Sequence, residues 1–319
     1  MKNYFIVNPM AGKGKGIEEF YENIKKACDD KSVEYEIYLT KSVGDATEFV
    51  RSVCANKSNL PARFFACGGD GTLCEVANGA AFAEGAQVGL VPIGTGNDFA
   101  RNFKNKELFF DIDAQLDGTA EPVDMLSYNG AFAANMINIG FDCEVVKKKE
   151  KIQKKKIFPS KLAYIFGLII CFAKKPGMKA TVFVDGEEIS DKDFLLSTFA
   201  NGCFCGGGFM SNPNASVTDG KVDALFVRNI SRSRFVSLVG SYKSGTHLVP
   251  KNDKILFTKK ADSILLKFPD TQSISIDGEI VDCTELLIEC VKNGMSFVVP
   301  KGAELKKKRA EADAQLAHV

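Results

Sequence analysis

The chain has almost no net charge and very few histidines. Its 319 residues include 41 Lys and Arg against 40 Asp and Glu, so the formal net charge is +1. A global basic field of the kind that draws proteins onto nucleic acid is therefore absent, and no nucleic-acid partner is expected. With two histidines and no Cys-x-x-Cys pair among ten cysteines, neither a zinc centre nor a histidine-based catalytic triad is expected.

Long apolar runs are also lacking. The longest run, residues 162–173, has 12 residues, whereas a membrane-spanning helix needs roughly 20. The N-terminus enters an apolar stretch directly, without the charged leader and cleavage site of a secretory signal. The scattered cysteines are typical of reduced thiols. We therefore expect a cytoplasmic protein that is peripheral to the inner face of the membrane.

The length predicts about two domains, and residues 1–124 have the pattern of the first. Short apolar runs alternate with amphipathic stretches, which predicts strands at 4–7, 33–39, 62–67 and 88–91 and helices at 17–28, 46–55 and 72–82. This order favours a parallel sheet with helices on both faces, a three-layer Rossmann-like α/β domain. Ligands of such domains bind at the carboxyl ends of the strands.

Residues 125–302 have a different texture and predict an antiparallel β-sandwich. Short strands alternate with hairpin signals at Asn129-Gly130, Asp185-Gly186, Asp219-Gly220 and Asp277-Gly278. Helical interruptions are expected at 143–172 and 232–243. Residues 303–319 are rich in Ala, Lys and Glu, and predict a terminal helix that packs back on the first domain.

The strongest motif is the glycine turn Gly68-Gly69-Asp70-Gly71-Thr72, between the third strand and the following helix. Glycine lets a backbone approach a phosphate closely, and the helix N-terminus offers N–H groups and a positive dipole. Because a bare carboxylate would repel phosphates, Asp70 is expected to reach a Mg²⁺ ion or to act as a base. The alternative is a tight turn in which Asp70 only caps the helix.

Two further glycine turns follow other strands of the same predicted sheet. One is Asn8-Pro9-Met10-Ala11-Gly12, after the first strand, and the other is Gly94-Thr95-Gly96-Asn97-Asp98, after the fourth. The spacing of neither a Walker A loop nor a GxGxxG dinucleotide fingerprint is present. Three turns at one sheet edge predict a phosphate-binding site of another kind.

These turns resemble the nucleotide-binding signatures of the diacylglycerol kinase family in its soluble bacterial form, which is related to sphingosine kinases. The resemblance continues through residues 206–209, 219–223 and 277–279, in the family's order. The GGDGT element also occurs in NAD kinases and 6-phosphofructokinases. The discriminating segments are therefore the GTGNDFAR run at 94–101 and the late Asp277-Gly278-Glu279.

The resemblance implies a Mg²⁺- and ATP-dependent lipid kinase that phosphorylates diacylglycerol, with the active site in the cleft between the domains. The implied catalytic residues are Glu279, the usual proton acceptor, with Asp277 as its alternative, and Asp70. The implied nucleotide contacts are Asn8, Pro9, Met10, Ala11, Gly12, Thr40, Gly68, Gly69, Asp70, Gly71, Thr72, Leu73, Cys74, Thr95, Asn97 and Asp98. The implied Mg²⁺ ligands are Asp219 and, through backbone carbonyls, Ser216 and Lys221. Cys74 stands where the family usually has Asn.

Other functions stay open on the sequence alone. A kinase of the same fold could act on a sphingoid base, on phosphatidylglycerol or on NAD, and a non-catalytic nucleotide sensor could keep the fold. The sequence also leaves open whether the chain acts alone or as a homodimer.

The segment from Lys147 to Lys175 concentrates positive charge beside the longest apolar run. Residues 147–161 contain eight lysines and one acid, Glu150, and Lys174 and Lys175 follow the run. One interpretation is a solvated, charged helix. The other is contact with an anionic membrane leaflet in which a lipid substrate is embedded.

Overall fold

The protein is represented by a computed structural model that describes residues 1–14, 16–140, 143 and 177–306. The predicted helix at 143–172 lies outside the described residues apart from Cys143. Most of the lysine-rich segment and residues 307–319 also lie outside them. The nine cysteines in the described residues form no disulfide.

Four parallel strands form the centre of the first domain, in the spatial order β2-β1-β3-β4. The strands are β1 (Lys2–Val7), β2 (Tyr35–Leu39), β3 (Ala62–Cys67) and β4 (Ala86–Val91). The helices are α1 (Ile17–Asp30), α2 (Asp45–Ala55), α3 (Asp70–Ala80) and α4 (Ile112–Leu116). The predicted alternation of strands and helices is confirmed.

Alternation along each strand explains why this domain has three layers. Successive side chains of a strand point to opposite faces. Phe5 of β1 belongs to the core cluster of α1, with Ile24. The next residue, Ile6, belongs to the cluster of α2 and α3, with Val50 and Val76. The sheet is therefore buried on both faces, as expected for parallel strands.

The second domain is built from antiparallel strands. They are β6 (Thr119–Tyr128), β7 (Ala131–Ala133), β8 (Met136–Gly140), β9 (Met178–Lys179), β10 (Thr181–Val184), β11 (Glu187–Glu188), β12 (Asp193–Ala200), β13 (Val222–Arg228), β14 (Leu256–Ala261), β15 (Ser263–Ile276) and β16 (Glu279–Val299). Their inward side chains form one apolar cluster, which includes Ile139, Phe199 and Leu266. Helix α5 (Arg232–Ser244) packs through Leu238 on a second cluster. The prediction of a β-sandwich is confirmed.

Strand β16 connects the two domains. Its first part pairs with β15, and its last part pairs with β6 and, at Phe297, in parallel with Val88 of β4. The two domains therefore share one continuous 15-stranded sheet. The expected boundary at 124/125 falls inside β6.

Three of the four hairpin signals lie at turns between paired strands. The fourth prediction, at Asp219-Gly220, is wrong, because this pair ends a long loop between β12 and β13. The terminal helix does not begin at Ala303 either. Glu304–Leu305 instead form strand β17, which pairs with β5 (Phe103–Lys104) of the first domain. Within the described ranges, no helix is both long and apolar enough to cross a bilayer.

Candidate active site

The predicted glycine turns meet at one edge of the parallel sheet. Hydrogen bonds continue each strand pairing into the turn that follows: Asn8 N donates to Cys67 O at 3.0 Å, and Gly68 N donates to Val91 O at 3.1 Å. Thr40 enters the same edge, because its N–H donates to Val7 O at 3.0 Å. The structure thus brings together the segments that the sequence singled out in the first domain.

The turns after β3 and β4 contact each other through backbone atoms alone. Gly94 N donates to Gly68 O at 3.0 Å, and a Cβ atom added to Gly94 would lie 2.8 Å from the nitrogen of Gly69. Only glycine allows this approach without a shift of one turn. The contact leaves two unobstructed stretches of backbone side by side, which is the arrangement that a phosphate chain needs.

The turn after β1 is held by the side chain of Asn8. Its Oδ1 accepts the N–H of Met10 at 2.9 Å, and its Nδ2 lies 3.5 Å from Thr72 Oγ1. Gly12 has φ +58°, and a Cβ atom there would lie 3.0 Å from Ile93 O. Met10 and Thr95, by contrast, are exposed. The Asn8 and Thr72 side chains therefore fix the turn, and nucleotide contacts at the exposed Met10 and Thr95 stay a prediction.

Asp70 does not act as the cap of its own helix. The N-cap of α3 is Gly69, and it makes no side-chain capping bond. Asp70 Oδ1 instead accepts the N–H groups of Asp98 at 2.8 Å and Phe99 at 3.0 Å. A Cβ atom on Gly96 would lie 2.9 Å from Asp70 Oδ2. Burial raises the pKa of Asp70, and its carboxylate is fixed between the turns after β3 and β4.

Asp98 connects the first domain to a glycine loop of the second. Its Oδ2 accepts the N–H of Gly207 at 2.8 Å, and its Oδ1 lies 3.2 Å from Arg101 Nε. Burial, together with the nearby charge of Asp70, raises the pKa of Asp98 to about 6. Asn97 closes its own turn by donating to Pro92 O at 2.6 Å. Asp98 and Asn97, both predicted as nucleotide contacts, thus hold the loops that surround the cleft.

Cys74 of α3 contacts β7. Cys74 Sγ donates to Phe132 O at 3.3 Å. One turn later, Asn78 donates to Phe132 O at 2.7 Å and accepts from Phe132 N at 3.0 Å. Burial raises the pKa of Cys74 well above its ordinary value. Leu73 beside it is buried in the core of the first domain.

The carboxylate of Asp277 is occupied by backbone donors. It accepts N–H groups from Ala134 at 2.7 Å, Asn135 at 3.1 Å and Met136 at 2.7 Å. Burial raises its pKa to about 6, although these donors favour the charged form. Asp277 therefore fixes the start of β8 against the β15–β16 turn.

Glu279 is an exposed carboxylate at the first position of β16. A Cβ atom added to Gly71 would lie 3.4 Å from Glu279 Oε1. Gly71 belongs to the first turn of α3, directly after Asp70. Glu279 of the second domain thus lies next to the N-terminus of α3, which carries Asp70. This juxtaposition is the candidate active site.

Asp124 is a buried residue of this region that the sequence analysis missed. Its Oδ2 accepts the N–H of Gly220 at 2.6 Å, its Oδ1 accepts that of Asn293 at 2.9 Å, and its own N–H donates to Val217 at 2.7 Å. The available signal was a single acid within the apolar run Val123-Asp124-Met125 of β6. Such an acid needs buried donors, and here it ties the loop before β13 to β16.

The three predicted Mg²⁺ ligands lie on that loop. Asp219 Oδ2 is 2.6 Å from Lys260 Nζ, and Lys221 Nζ is 2.9 Å from Asp262. Ser216 Oγ meets Thr218 Oγ1 at 3.3 Å. The described residues contain no group of three or more metal-ligating side chains. Because the carboxylate of Asp219 already has a cation, this donor set does not fit a resident Mg²⁺. Ligation of Mg²⁺ through the backbone carbonyls of Ser216 and Lys221 stays a prediction.

Comparison with known families matches the two domains separately. Residues 2–128 match the model of the diacylglycerol kinase catalytic domain. Residues 135–299 match that of the YegS C-terminal NAD kinase beta sandwich-like domain.

Individual relatives match over most of their length. A diacylglycerol kinase of Bacillus subtilis (strain 168) is 26% identical over 286 residues, which cover 86% of this chain and 88% of the relative. A probable YegS-like lipid kinase of Alcanivorax borkumensis is 25% identical, with 85% and 89% covered. The crystal structure of a putative diacylglycerol kinase from Bacillus anthracis str. Sterne superposes with a TM-score of 0.72 at 23% identity, covering 93% and 96%. The last comparison shows the same fold.

Proposed function

We propose that the chain, which belongs to the lipid kinase family that joins a diacylglycerol kinase catalytic domain to a YegS-type C-terminal domain, phosphorylates diacylglycerol to phosphatidic acid. Family membership makes it an ATP-dependent lipid kinase. The choice of acceptor is the proposed step, and the relative named diacylglycerol kinase supports it. ATP enters this site as its Mg²⁺ complex.

The observation that carries the proposal is the position of Glu279 over the first turn of α3. The turns after β1, β3 and β4 form the nucleotide side of the cleft, and Asp70 is fixed between two of them. Glu279 comes from the other domain and lies next to Gly71. A group that receives a proton and a loop that receives phosphates thus face each other, as transfer to an alcohol requires.

The chemistry follows from these positions. Phosphoryl transfer depends mainly on alignment of the γ-phosphate and on stabilisation of its charge. The glycine turns and the N-terminus of α3 present backbone and a positive dipole to the phosphates, and Mg²⁺ supplies further charge neutralisation when it is bound with ATP. Glu279 takes the proton of the acceptor hydroxyl while the hydroxyl oxygen forms the new bond to phosphorus and ADP leaves. A placed base of this kind contributes roughly 10²- to 10⁴-fold.

The test is a product assay with γ-labelled ATP and Mg²⁺. The purified protein is incubated with vesicles that contain diacylglycerol, a sphingoid base or phosphatidylglycerol, and separately with NAD. We expect label in phosphatidic acid. Asp70→Asn, which removes the negative charge but keeps the size of the side chain, serves as the inactive control.

Three outcomes would overturn the proposal in different ways. Label in another lipid would change the acceptor and keep the lipid kinase activity. Label in NADP would change the class of acceptor. ATP binding without consumption of ATP in any mixture would indicate a nucleotide sensor.

A further inference from the structure

Lys260 of β14 lies among three oxygen atoms of segment 214–223, which comprises the end of the loop before β13 and the first two residues of that strand. Its Nζ is 2.6 Å from Asp219 Oδ2, 3.6 Å from Asp223 Oδ2 and 3.3 Å from the carbonyl oxygen of Asn214. Asp223 is also directly opposite Lys260 in the pairing of β13 with β14. The ammonium group thus bridges both ends of segment 214–223.

The two carboxylates need a cation. The side chain of Asp219 is 16% exposed and that of Asp223 is 8% exposed, against 37% for Lys260. The ammonium group of Lys260, within 3.6 Å of both carboxylates, supplies this positive charge.

We propose that the ammonium group of Lys260 is the resident cation of segment 214–223 and keeps it ordered without a bound divalent ion. Mg²⁺ binds oxygen ligands, above all carboxylates. Here the carboxylate that such an ion would bind, that of Asp219, forms an ion pair with the ammonium group of Lys260. The ion pair with Lys260 explains why the side chain of Asp219 is fixed although the surrounding donor set does not fit a metal.

The position of the loop makes its order relevant to the cleft. The carbonyl of Val217 and the N–H of Gly220 bind to Asp124. The same loop lines a cavity of about 280 Å³ through Ser216, and Asn102 of the first domain also lines it. The proposal concerns this loop alone and does not depend on which lipid is phosphorylated.

The experiment measures unfolding and local hydrogen exchange of the full chain without nucleotide, in EDTA and in increasing MgCl₂. We expect the melting temperature of the wild type and its exchange at 214–223 to be the same in both solutions. Lys260→Met should lower the melting temperature by about 2–4 °C, the shift for loss of a partly exposed ion pair in a chain of this size. It should also speed exchange at 214–223, whereas Lys260→Arg should keep the wild-type values.

Lys259→Met is the matched control. Lys259 precedes Lys260 on β14, is exposed, and points to the opposite face of the strand. Like Lys260→Met, the Lys259→Met substitution removes one positive charge from β14, but it leaves the ion pair of Lys260 with Asp219 in place. Equal stability and equal exchange in the Lys259→Met and Lys260→Met proteins would overturn the proposal.

A saturable rise of the wild-type melting temperature with Mg²⁺, lost in Asp219→Asn, would also overturn it. If Lys260→Met does not fold, calorimetric titration of the nucleotide-free wild type with MgCl₂ decides. No binding supports a resident ammonium, and binding that Asp219→Asn removes contradicts it.

Discussion

Asp277 and Met136 are joined by two hydrogen bonds that run in opposite directions. Met136 N donates to Asp277 Oδ1 at 2.7 Å, and Asp277 N donates to Met136 O at 2.9 Å. Ala134 and Asn135 add further donors to the same carboxylate. Glu279, two residues later, is exposed and lies over α3. The structure therefore separates a fold-holding acid from the acid that is placed to accept a proton.

Glu279→Gln tests the role of the exposed acid. The substitution is nearly isosteric and removes only the charge, so we expect kcat to fall by roughly 10²-fold or more, the range for loss of a general base. The affinity for ATP should stay nearly unchanged, because the glycine turns are on the other domain. Steady-state kinetics with an equilibrium measurement of ATP binding separate the two effects. Glu285→Gln, an exposed change on the same strand, should keep wild-type kinetics.

Asp277→Asn tests the fold-holding acid. The amide would turn an NH₂ group towards backbone donors, so buried N–H groups of the 134–136 segment would lose acceptors. We expect a loss of about 1–3 kcal/mol in the free energy of unfolding, measured by urea denaturation at neutral pH. A fully stable but inactive Asp277→Asn protein, together with an active Glu279→Gln protein, would reassign the proton acceptor to Asp277.

The features that the sequence predicts and those that it does not predict have separate physical reasons. Parallel strands end at one edge, so the turns at Asn8, Gly68 and Gly94 could be assigned to one site from their order alone. Asp124 was missed because its partners Gly220 and Asn293 are about 100 and 170 residues away. Asp219-Gly220 was mistaken for a hairpin because an Asp-Gly pair favours a turn in either setting. Local patterns predict local structure, and contacts distant in sequence need the fold.

Gly94→Ala tests the close approach of two turns. The new Cβ atom would press on Gly69, so one turn must move. We expect a loss of about 1–3 kcal/mol from overpacking and a raised KM for ATP. Gly240→Ala in α5 is the control, since the added Cβ would meet no heavy atom within 4 Å beyond its chain neighbours and the backbone of its own helix. There we expect a gain of about 0.5–1 kcal/mol from helix propensity and unchanged kinetics. Equal behaviour of the two variants would contradict the backbone contact.

Asp98→Asn tests the electrostatics between the domains. Burial and Asp70 raise the pKa of Asp98 from 3.8 to about 6, so the folded protein binds this proton more tightly than the unfolded chain. The contribution of Asp98 to the free energy of unfolding is therefore highest below about pH 4, falls as the pH rises to about 6 and is constant above that pH. The asparagine variant lacks this slope. Its stability relative to wild type should rise between pH 4 and pH 7 by on the order of 3 kcal/mol.

The measurement is the free energy of unfolding of both proteins across that pH range. The lost contact with Arg101 adds a constant offset to the variant above pH 6 and leaves the sign of the change intact. Asp270→Asn, an exposed change in β15, controls for the removal of one carboxylate from the protein surface. If the difference in free energy of unfolding between Asp98→Asn and wild type stays constant from pH 4 to pH 7, the pKa of Asp98 is not raised in the folded protein.

Seven lysines lie between residues 147 and 156, in a segment outside the described residues. Their replacement by glutamine tests whether this segment contacts the membrane. Each lysine near an anionic surface contributes about 1 kcal/mol, so we expect the variant to lose vesicle binding and activity on membrane-embedded diacylglycerol. Activity on a short-chain, dispersed diacylglycerol should change little. Because the attraction is screened over about 8 Å at 0.15 M salt, raised salt should weaken wild-type binding, and neutral vesicles should not support it.

Co-sedimentation with anionic and neutral vesicles at two salt concentrations decides between the two interpretations of this segment. A smaller matched pair controls for net charge: Lys155→Gln with Lys156→Gln should weaken binding, whereas Lys25→Gln with Lys26→Gln, on the exposed side of α1, should not. Both pairs remove two charges, so a general loss of positive charge predicts the same effect for both. Equal binding to both vesicle types, or an unchanged seven-lysine variant, would assign the segment to solvent, and the membrane contact would then have to lie elsewhere on the protein.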